Sequence, residues 1–281
     1  MSGMPRVDVW ISAEADVTPA LLDAYRAWLS PDEARQSQRF LREADRQRYL
    51  LTRGLARGVL ADYTGEAPPA LAFAAQVFGK PVLRAAAGAP PPPHFNLSHT
   101  CGLVVLAVCR EAEVGVDVEA IDRSLDPLRL AARHFSPSER AALAAATDAQ
   151  RHERFFELWT LKEAYAKALG QGLNLDLQSF SVVLDAAQPR IVEHAADGNR
   201  SSACQCRLHV PLPGYRLALV VRDAAAGIEV SLARGLPLRQ FTPVPYEEGQ
   251  PGMSGNGVRV PYREPSSVGI RHSDPVLGRW E

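Results

Sequence analysis

Apolar and polar positions recur along the chain with two periods, two residues and 3.6 residues, which mark strands and amphipathic helices. Val7-Asp8-Val9-Trp10-Ile11 reads as a first strand, and Thr18-Pro19 caps a helix running to about Leu29. Ser30-Pro31-Asp32-Glu33 has the form of a capping box with proline at the first helical position. A long helical pattern from about Asp45 to Tyr63 is stopped by Gly65, and Gln76 to Leu83 reads as extended, with Gly79-Lys80-Pro81 inside it. Ala85 to Pro93 is a stiff linker that ends in consecutive prolines. The continuous apolar run Leu103 to Cys109 predicts a buried strand, and Val114 to Glu119 a second strand with clean alternation. Ser136-Pro137-Ser138-Glu139 is another capping box, opening a helix to about Ala146. A strong helix spans about His152 to Leu169, stopped by Gly170 and Gly172. Phe180 to Leu184 and Tyr215 to Arg222 close the ordered part as strands.

These elements repeat. Val7 and Val114 each begin a strand, Ser30 and Ser136 each begin a Ser-Pro-x-Glu cap, and Gly65 and Gly172 each follow a long helix, all at offsets of 106 or 107 residues. Such capping signals are common enough to coincide. As a repeat, they predict an α/β (α+β) protein of two similar halves, residues 1–112 and 113–235, with a cleft between them where ligands usually sit. From about Leu236 the character changes: the last 46 residues hold seven prolines and six glycines. Residues 236–281 therefore read as a loose or disordered tail without chemistry.

Composition narrows the function. With 46% apolar and 22% charged residues and a net charge of -1, the chain has no global attraction for nucleic acid or an anionic membrane. No apolar run reaches the ~20 residues of a membrane span, and no apolar secretory segment follows the N-terminus, so a cytoplasmic protein is expected. The four cysteines, Cys101, Cys109, Cys204 and Cys206, are too few for a disulfide scaffold and wrongly spaced for a zinc knuckle.

Three patterns carry chemistry. In Val114-Gly115-Val116-Asp117-Val118-Glu119 the valines share one face of the strand, and Gly115, Asp117 and Glu119 the other. Asp117 and Glu119 suit either two ligands of one hard cation such as Mg²⁺, with room beside them at Gly115, or the wet face of an edge strand. In Trp159-Thr160-Leu161-Lys162-Glu163-Ala164-Tyr165-Ala166-Lys167, Glu163 and Lys167 stand four apart, opposite the main apolar arc. They form either a surface ion pair or, because Phe156 and Trp159 also flank Glu163, a covered pair that needs a partner. Phe95-Asn96-Leu97-Ser98-His99-Thr100 reads as a loop with His99 at its turn, suited to a phosphate or to a structural role; no nucleophile elbow surrounds Ser98.

Taken together, these motifs resemble the 4′-phosphopantetheinyl transferases, in the larger, two-halved type similar to the surfactin-synthetase activator. The resemblance spans about residues 5 to 222. It includes Gly79-Lys80-Pro81 and the Arg-rich stretch from Arg39 to Arg57. The resemblance implies a pseudo-dimer of two α/β halves that acts as a monomer. It implies that Asp117, Glu119 and Glu163 bind Mg²⁺ with the pyrophosphate of coenzyme A. Glu163 also matches a base toward the acceptor serine, and Lys167 a lysine on the pyrophosphate. His99 and Arg48 match residues at the 3′-phosphate. Lys80, Pro81 and Ser98 match positions lining the nucleotide pocket, with Arg53 a further addition. The implied partner is an apo carrier protein of fatty-acid, polyketide or peptide synthesis. Mg²⁺-dependent hydrolysis of the same pyrophosphate and non-enzymatic coenzyme A sensing are the competing functions. One departure concerns the helix after the first Ser-Pro cap, where relatives carry lysines and this chain has Glu33 and Gln36, with Arg35 and Arg39 nearby.

Overall fold

The computed structural model describes residues 4–245 except 86–87, 185–187, 196 and 225–226, so most of the expected tail lies outside the described residues. The first half runs through β1 (Arg6–Ala13), α1 (Pro19–Trp28), α2 (Pro31–Gln38), α3 (Glu43–Thr64), the short strands β2 (Phe73–Ala75) and β3 (Pro81–Leu83), β4 (His94–Thr100) and β5 (Leu103–Cys109). The second runs through β6 (Val114–Ala120), α4 (Pro127–His134), α5 (Pro137–Ala145), α6 (Asp148–Ala168), β7 (Phe180–Val183), β8 (Arg190–Ala195), β9 (Gly198–Ser201), β10 (Gln205–His209) and β11 (Tyr215–Val221). Two further strands follow, β12 (Glu229–Arg234) and β13 (Thr242–Val244).

The repeat is real in three dimensions. The unit β1-β5-β4 within the sheet β13-β12-β1-β5-β4 has the same antiparallel order as β6-β11-β10 in the other large sheet. Both capping boxes form: the Ser30 and Ser136 hydroxyls each accept from the N–H three residues on, and Glu33 and Glu139 accept in return. Each of these glutamates also receives a buried cation from the long helix of its own half. Arg57 reaches Glu33 at 2.7 Å, and Lys162 reaches Glu139 at 2.9 Å. Their remaining donors go to backbone carbonyls, of Pro68 and Leu71 for Arg57 and of Leu177 and Phe180 for Lys162. Lys162, in the centre of the Lys-Glu pattern, is thus committed to holding α5 and β7 on α6. The glycine that matches Gly65 is Gly170 rather than Gly172: α6 ends at Ala168, and Gly65 and Gly170 have φ of 75° and 68°.

The layers run α3, sheet, sheet, α6. The continuous apolar run of β5 divides between two cores, as a strand covered on both faces must. Val104, Leu106 and Val108 pack under α3 with Phe95 and Leu97, while Leu103, Val105 and Ala107 meet Val116 and Val118 of β6 between the sheets. A third core surrounds α6.

Three expectations are corrected. Gln76 to Leu83 is a turn and one strand of the β2–β3 hairpin, with Gly79 at φ 87°. The Phe95–Thr100 segment is not a loop: all of it lies in β4, His99 included, and the turn falls at Cys101-Gly102. The boundary at 235/236 does not follow the packing. β12 leaves the second half and lies parallel to β1, and β13 pairs with β12. Leu236 is buried in the core under α3, the Tyr25 hydroxyl donates to the Pro237 carbonyl at 2.8 Å, and Phe241 stacks edge-on against Trp10. Composition hid this because only a few apolar residues among the prolines make the contact.

Cutting the chain after Arg234 is therefore expected to destabilise it. The loss of one buried leucine and of an acceptor for a buried hydroxyl is worth about 2–3 kcal/mol. That corresponds to a fall in melting temperature of roughly 5–10 °C against full length. A chain cut after Pro245 keeps each of these contacts, so its melting temperature should exceed that of the chain cut after Arg234 by the same amount.

Candidate active site

The edge strands β4 of the first half and β6 of the second face each other, and a row of side chains joins them instead of a backbone ladder. Asn96, Ser98 and Thr100 share one face of β4. Asn96 Oδ1 accepts from the Val116 N–H at 2.8 Å, Ser98 Oγ from the Val118 N–H at 3.3 Å, and Thr100 Oγ1 from the Ala120 N–H at 3.3 Å. The valine face of β6 is packed against the first half's sheet, which turns Gly115, Asp117 and Glu119 toward α6.

Gly115 does not leave a space beside the carboxylates, as its missing side chain suggests. A Cβ there would lie 2.0 Å from the Ala164 carbonyl oxygen and 2.5 Å from the Ala168 nitrogen. The backbone of α6 fills the gap, and this approach brings Glu163 and Lys167 onto β6. Asp117 Oδ1 accepts from Lys167 Nζ at 2.7 Å and from Ser98 Oγ at 2.8 Å. Lys167 Nζ also donates to Ser98 Oγ at 3.0 Å, and Thr100 Oγ1 donates to Glu119 Oε2 at 3.2 Å. Asp117 and Glu163 are buried and Glu119 half-buried, so neither the solvated edge strand nor the surface ion pair describes them.

Charge in this cluster is unbalanced. Burial, and then the Asp117 carboxylate, push the Glu163 carboxyl up to about 7, and Lys167 offsets this only in part. Burial and Asp117 raise Glu119 as well. Asp117 Oδ2 is buried without a hydrogen-bond partner. An unpartnered carboxylate oxygen near carboxyls that resist ionisation offers a ligand to a hard cation. Among the described residues no group of three or more acidic, histidine or cysteine side chains is placed to hold a metal ion, so Asp117, Glu119 and Glu163 do not come together as the expected three-ligand set. Mg²⁺ needs only one or two carboxylates and completes its shell with water and substrate phosphate, so Asp117 with one neighbouring carboxylate would suffice to hold it.

The other expected site residues fall in three places. His99 is solvent-exposed on the face of β4 that also carries Phe95 and Leu97, yet protein crowds around its ring. That crowding, with the charges of Arg48 and Lys167, lowers its pKa to about 4 and keeps it neutral. Arg48 is held by Glu14 and Asp45. His99 thus feels Arg48, Lys167 and Asp117 together, which places it between α3 and the acidic cluster. Lys80 is buried and bonds Glu113 at 2.6 Å and the Val114 carbonyl at 3.2 Å, with His94 on the other Glu113 oxygen. This group, and Pro81 in β3, sits at the start of β6, about 10 Å along the strand from Asp117. Arg53 is not brought to the cluster: it lies 3.6 Å from Glu33 and over the Tyr49 ring. Glu33 belongs to the cap and Arg57, Arg35 pairs with Asp32, and Arg39 donates to Gln36, so α2 offers its cations to its own acids and amide. Asn96, Thr100 and Glu113 were not singled out by sequence, although the alternation of polar residues at 96, 98 and 100 carried the signal.

The cluster occurs once. The first-half residues in the places of Asp117, Glu163 and Lys167 are Trp10, Gly58 and Asp62, from offsets of 107 for β1 and 105 for α3. They line a separate cavity of about 760 Å³, whose walls also include Pro237 and Phe241. No helix among the described residues is long and apolar enough to cross a membrane.

Two family models match the chain in separate stretches. Residues 113–220 match the 4′-phosphopantetheinyl transferase superfamily, and residues 16–111 match the 4′-phosphopantetheinyl transferase N-terminal family. A 4′-phosphopantetheinyl transferase of Bacillus subtilis is 35% identical over 210 residues, covering 74% of this chain and 89% of that protein. The 4′-phosphopantetheinyl transferase HetI of Nostoc sp. is 34% identical over 183 residues, covering 64% of this chain and 75% of that protein. Sfp of Bacillus subtilis, also a 4′-phosphopantetheinyl transferase, is 29% identical, covering 70% and 84%. With a site at the junction of two related halves and similarity of this extent across both, the chain is a 4′-phosphopantetheinyl transferase of the Sfp type.

Proposed function

We propose that this enzyme transfers the 4′-phosphopantetheine arm of coenzyme A to a serine hydroxyl of an apo carrier protein, with Mg²⁺, releasing adenosine 3′,5′-bisphosphate. The observation that carries the proposal is the buried, unpartnered Asp117 Oδ2 beside Glu119, Glu163 and Lys167. The serine oxygen bonds to the phosphorus that bears pantetheine, and the bond from that phosphorus to the bridging pyrophosphate oxygen breaks. Bound Mg²⁺ supplies neutralising charge on the pyrophosphate. Lys167 adds a cation at the same place and stabilises charge on the leaving group. Glu163 is the base toward the serine proton; burial and Asp117 raise its carboxyl in the metal-free site, which favours proton uptake there. His99 and Arg48 offer donors for the 3′-phosphate, and an arriving phosphate dianion would favour the imidazolium that the apo site disfavours. Lys80 and Pro81 border the nucleotide from the β2–β3 hairpin. A single chain suffices for the site, because its two halves form the cleft between themselves.

The test is intact-mass measurement of several apo carrier proteins incubated with the enzyme, coenzyme A and Mg²⁺. Each substrate carrier should gain one phosphopantetheine, and the gain should vanish with EDTA. Free phosphopantetheine with unmodified carrier would instead identify a hydrolase.

A further inference from the structure

Each hydroxyl that β4 sends to β6 makes two bonds there. Ser98 Oγ accepts from the Val118 N–H and donates to Asp117; Thr100 Oγ1 accepts from the Ala120 N–H and donates to Glu119. The hydroxyl therefore reads the backbone amide on one side and aims the preceding carboxylate on the other. Asn96 makes only the backbone bond, and the preceding residue there is Gly115, which has no side chain to aim. Thr100 is itself fixed from the second half. The Tyr215 hydroxyl donates to the carbonyl of the next residue, Cys101, at 3.0 Å, and Tyr215 pairs with Ala120 in the sheet. A one-donor hydroxyl whose acceptor side is occupied by the Ala120 N–H can aim its proton in few other directions.

We infer that Thr100 is a positioning residue: it couples the junction of the two halves to Glu119, holding that carboxylate where it can share a divalent cation with Asp117. The inference rests on the proposed metal-dependent transfer and adds a residue outside the ligand set. Thr100→Val keeps the branched shape and removes both bonds, whereas Thr100→Ser keeps the hydroxyl.

The experiment titrates Mn²⁺ by electron paramagnetic resonance with coenzyme A present, and in parallel measures transfer against Mg²⁺ concentration. Thr100→Val should weaken Mn²⁺ binding about tenfold and raise the half-saturating Mg²⁺ about tenfold, with the rate at saturating Mg²⁺ within about threefold of wild type. Thr100→Ser should restore both affinities to within about twofold. The Thr100→Val change should have no further effect on Mn²⁺ binding in a Glu119→Gln background, because it acts through that carboxylate. Unchanged metal affinity in Thr100→Val, no Mn²⁺ bound by the wild type, failure of Thr100→Ser to restore it, or a full additional loss in the Glu119→Gln background would each overturn the inference. If the wild type binds Mn²⁺ but modifies no carrier, the proposed function fails, and the Mn²⁺ titrations alone still decide the role of Thr100.

Discussion

Asp117→Asn is expected to lower carrier modification by roughly two to three orders of magnitude, the effect of removing one well-placed electrostatic group from an active site. Asparagine keeps the shape of the side chain and an acceptor for Ser98 and Lys167, so the fold has no reason to change. What disappears is the negative charge that Lys167 and the cation share. The same substitution removes the counter-ion of Lys167 as well as a charge that repels Glu163 and Glu119, two opposing effects, so the melting temperature without added metal should change little. The pH dependence gives a second readout. An unfolded glutamate loses its proton near 4.5, but folded Glu163 holds it up to about 7. Between those values the native state binds more protons than the unfolded chain, so this group's contribution to stability falls as pH rises through the window. Asp117→Asn should weaken that dependence without abolishing it, because burial, the larger cause, remains. Added Mg²⁺ with coenzyme A should raise the melting temperature of the wild type more than that of the variant. Wild-type transfer rates in Asp117→Asn at saturating Mg²⁺ would remove Asp117 from the site.

Local rules made part of this site legible. Capping boxes at Ser30 and Ser136 fixed two helix starts and exposed the repeat, because each is read from four adjacent residues. The i, i+2 carboxylates of β6 and the i, i+4 pair of α6 were equally local. How these elements meet was less accessible. The Asn96, Ser98 and Thr100 bonds to β6 span about 20 residues and join two strand edges that no single-strand pattern relates. Parallel pairing of β12 with β1 joins Arg6 to Glu229, across nearly the whole described chain. Arg53 is a further addition to Arg48 among the arginines of α3, and five residues turn a helix by about 140°, which directs it to Glu33 instead.

Gly115 is where the sequence suggested one physical role and the structure gives another, and Gly115→Ala separates them. If the bare position left room for a cation, an added methyl would weaken metal binding and little else. In the structure the methyl would meet the Ala164 carbonyl oxygen at 2.0 Å, the Ala168 nitrogen at 2.5 Å and the Ala168 Cα at 3.0 Å. These are backbone atoms in the middle and end of α6, so no side-chain rotation relieves the contact. The helix must move outward from β6, against a core that includes Phe155, Leu158, Leu161 and Tyr165. Ordinary overpacking costs about 1–3 kcal/mol, and a contact with unyielding backbone belongs at the upper end or beyond. A loss of about 3 kcal/mol corresponds to a fall in melting temperature of roughly 6–12 °C. Because Glu163 and Lys167 ride on the same helix, a shift of even ~1 Å also separates them from Asp117 and should cost about 100-fold in transfer, which extra Mg²⁺ will not recover. Thermal denaturation and transfer at two Mg²⁺ concentrations make the comparison. A normal melting temperature with activity restored by excess Mg²⁺ would mean that α6 does not depend on the missing side chain, and that Gly115 serves the cation after all.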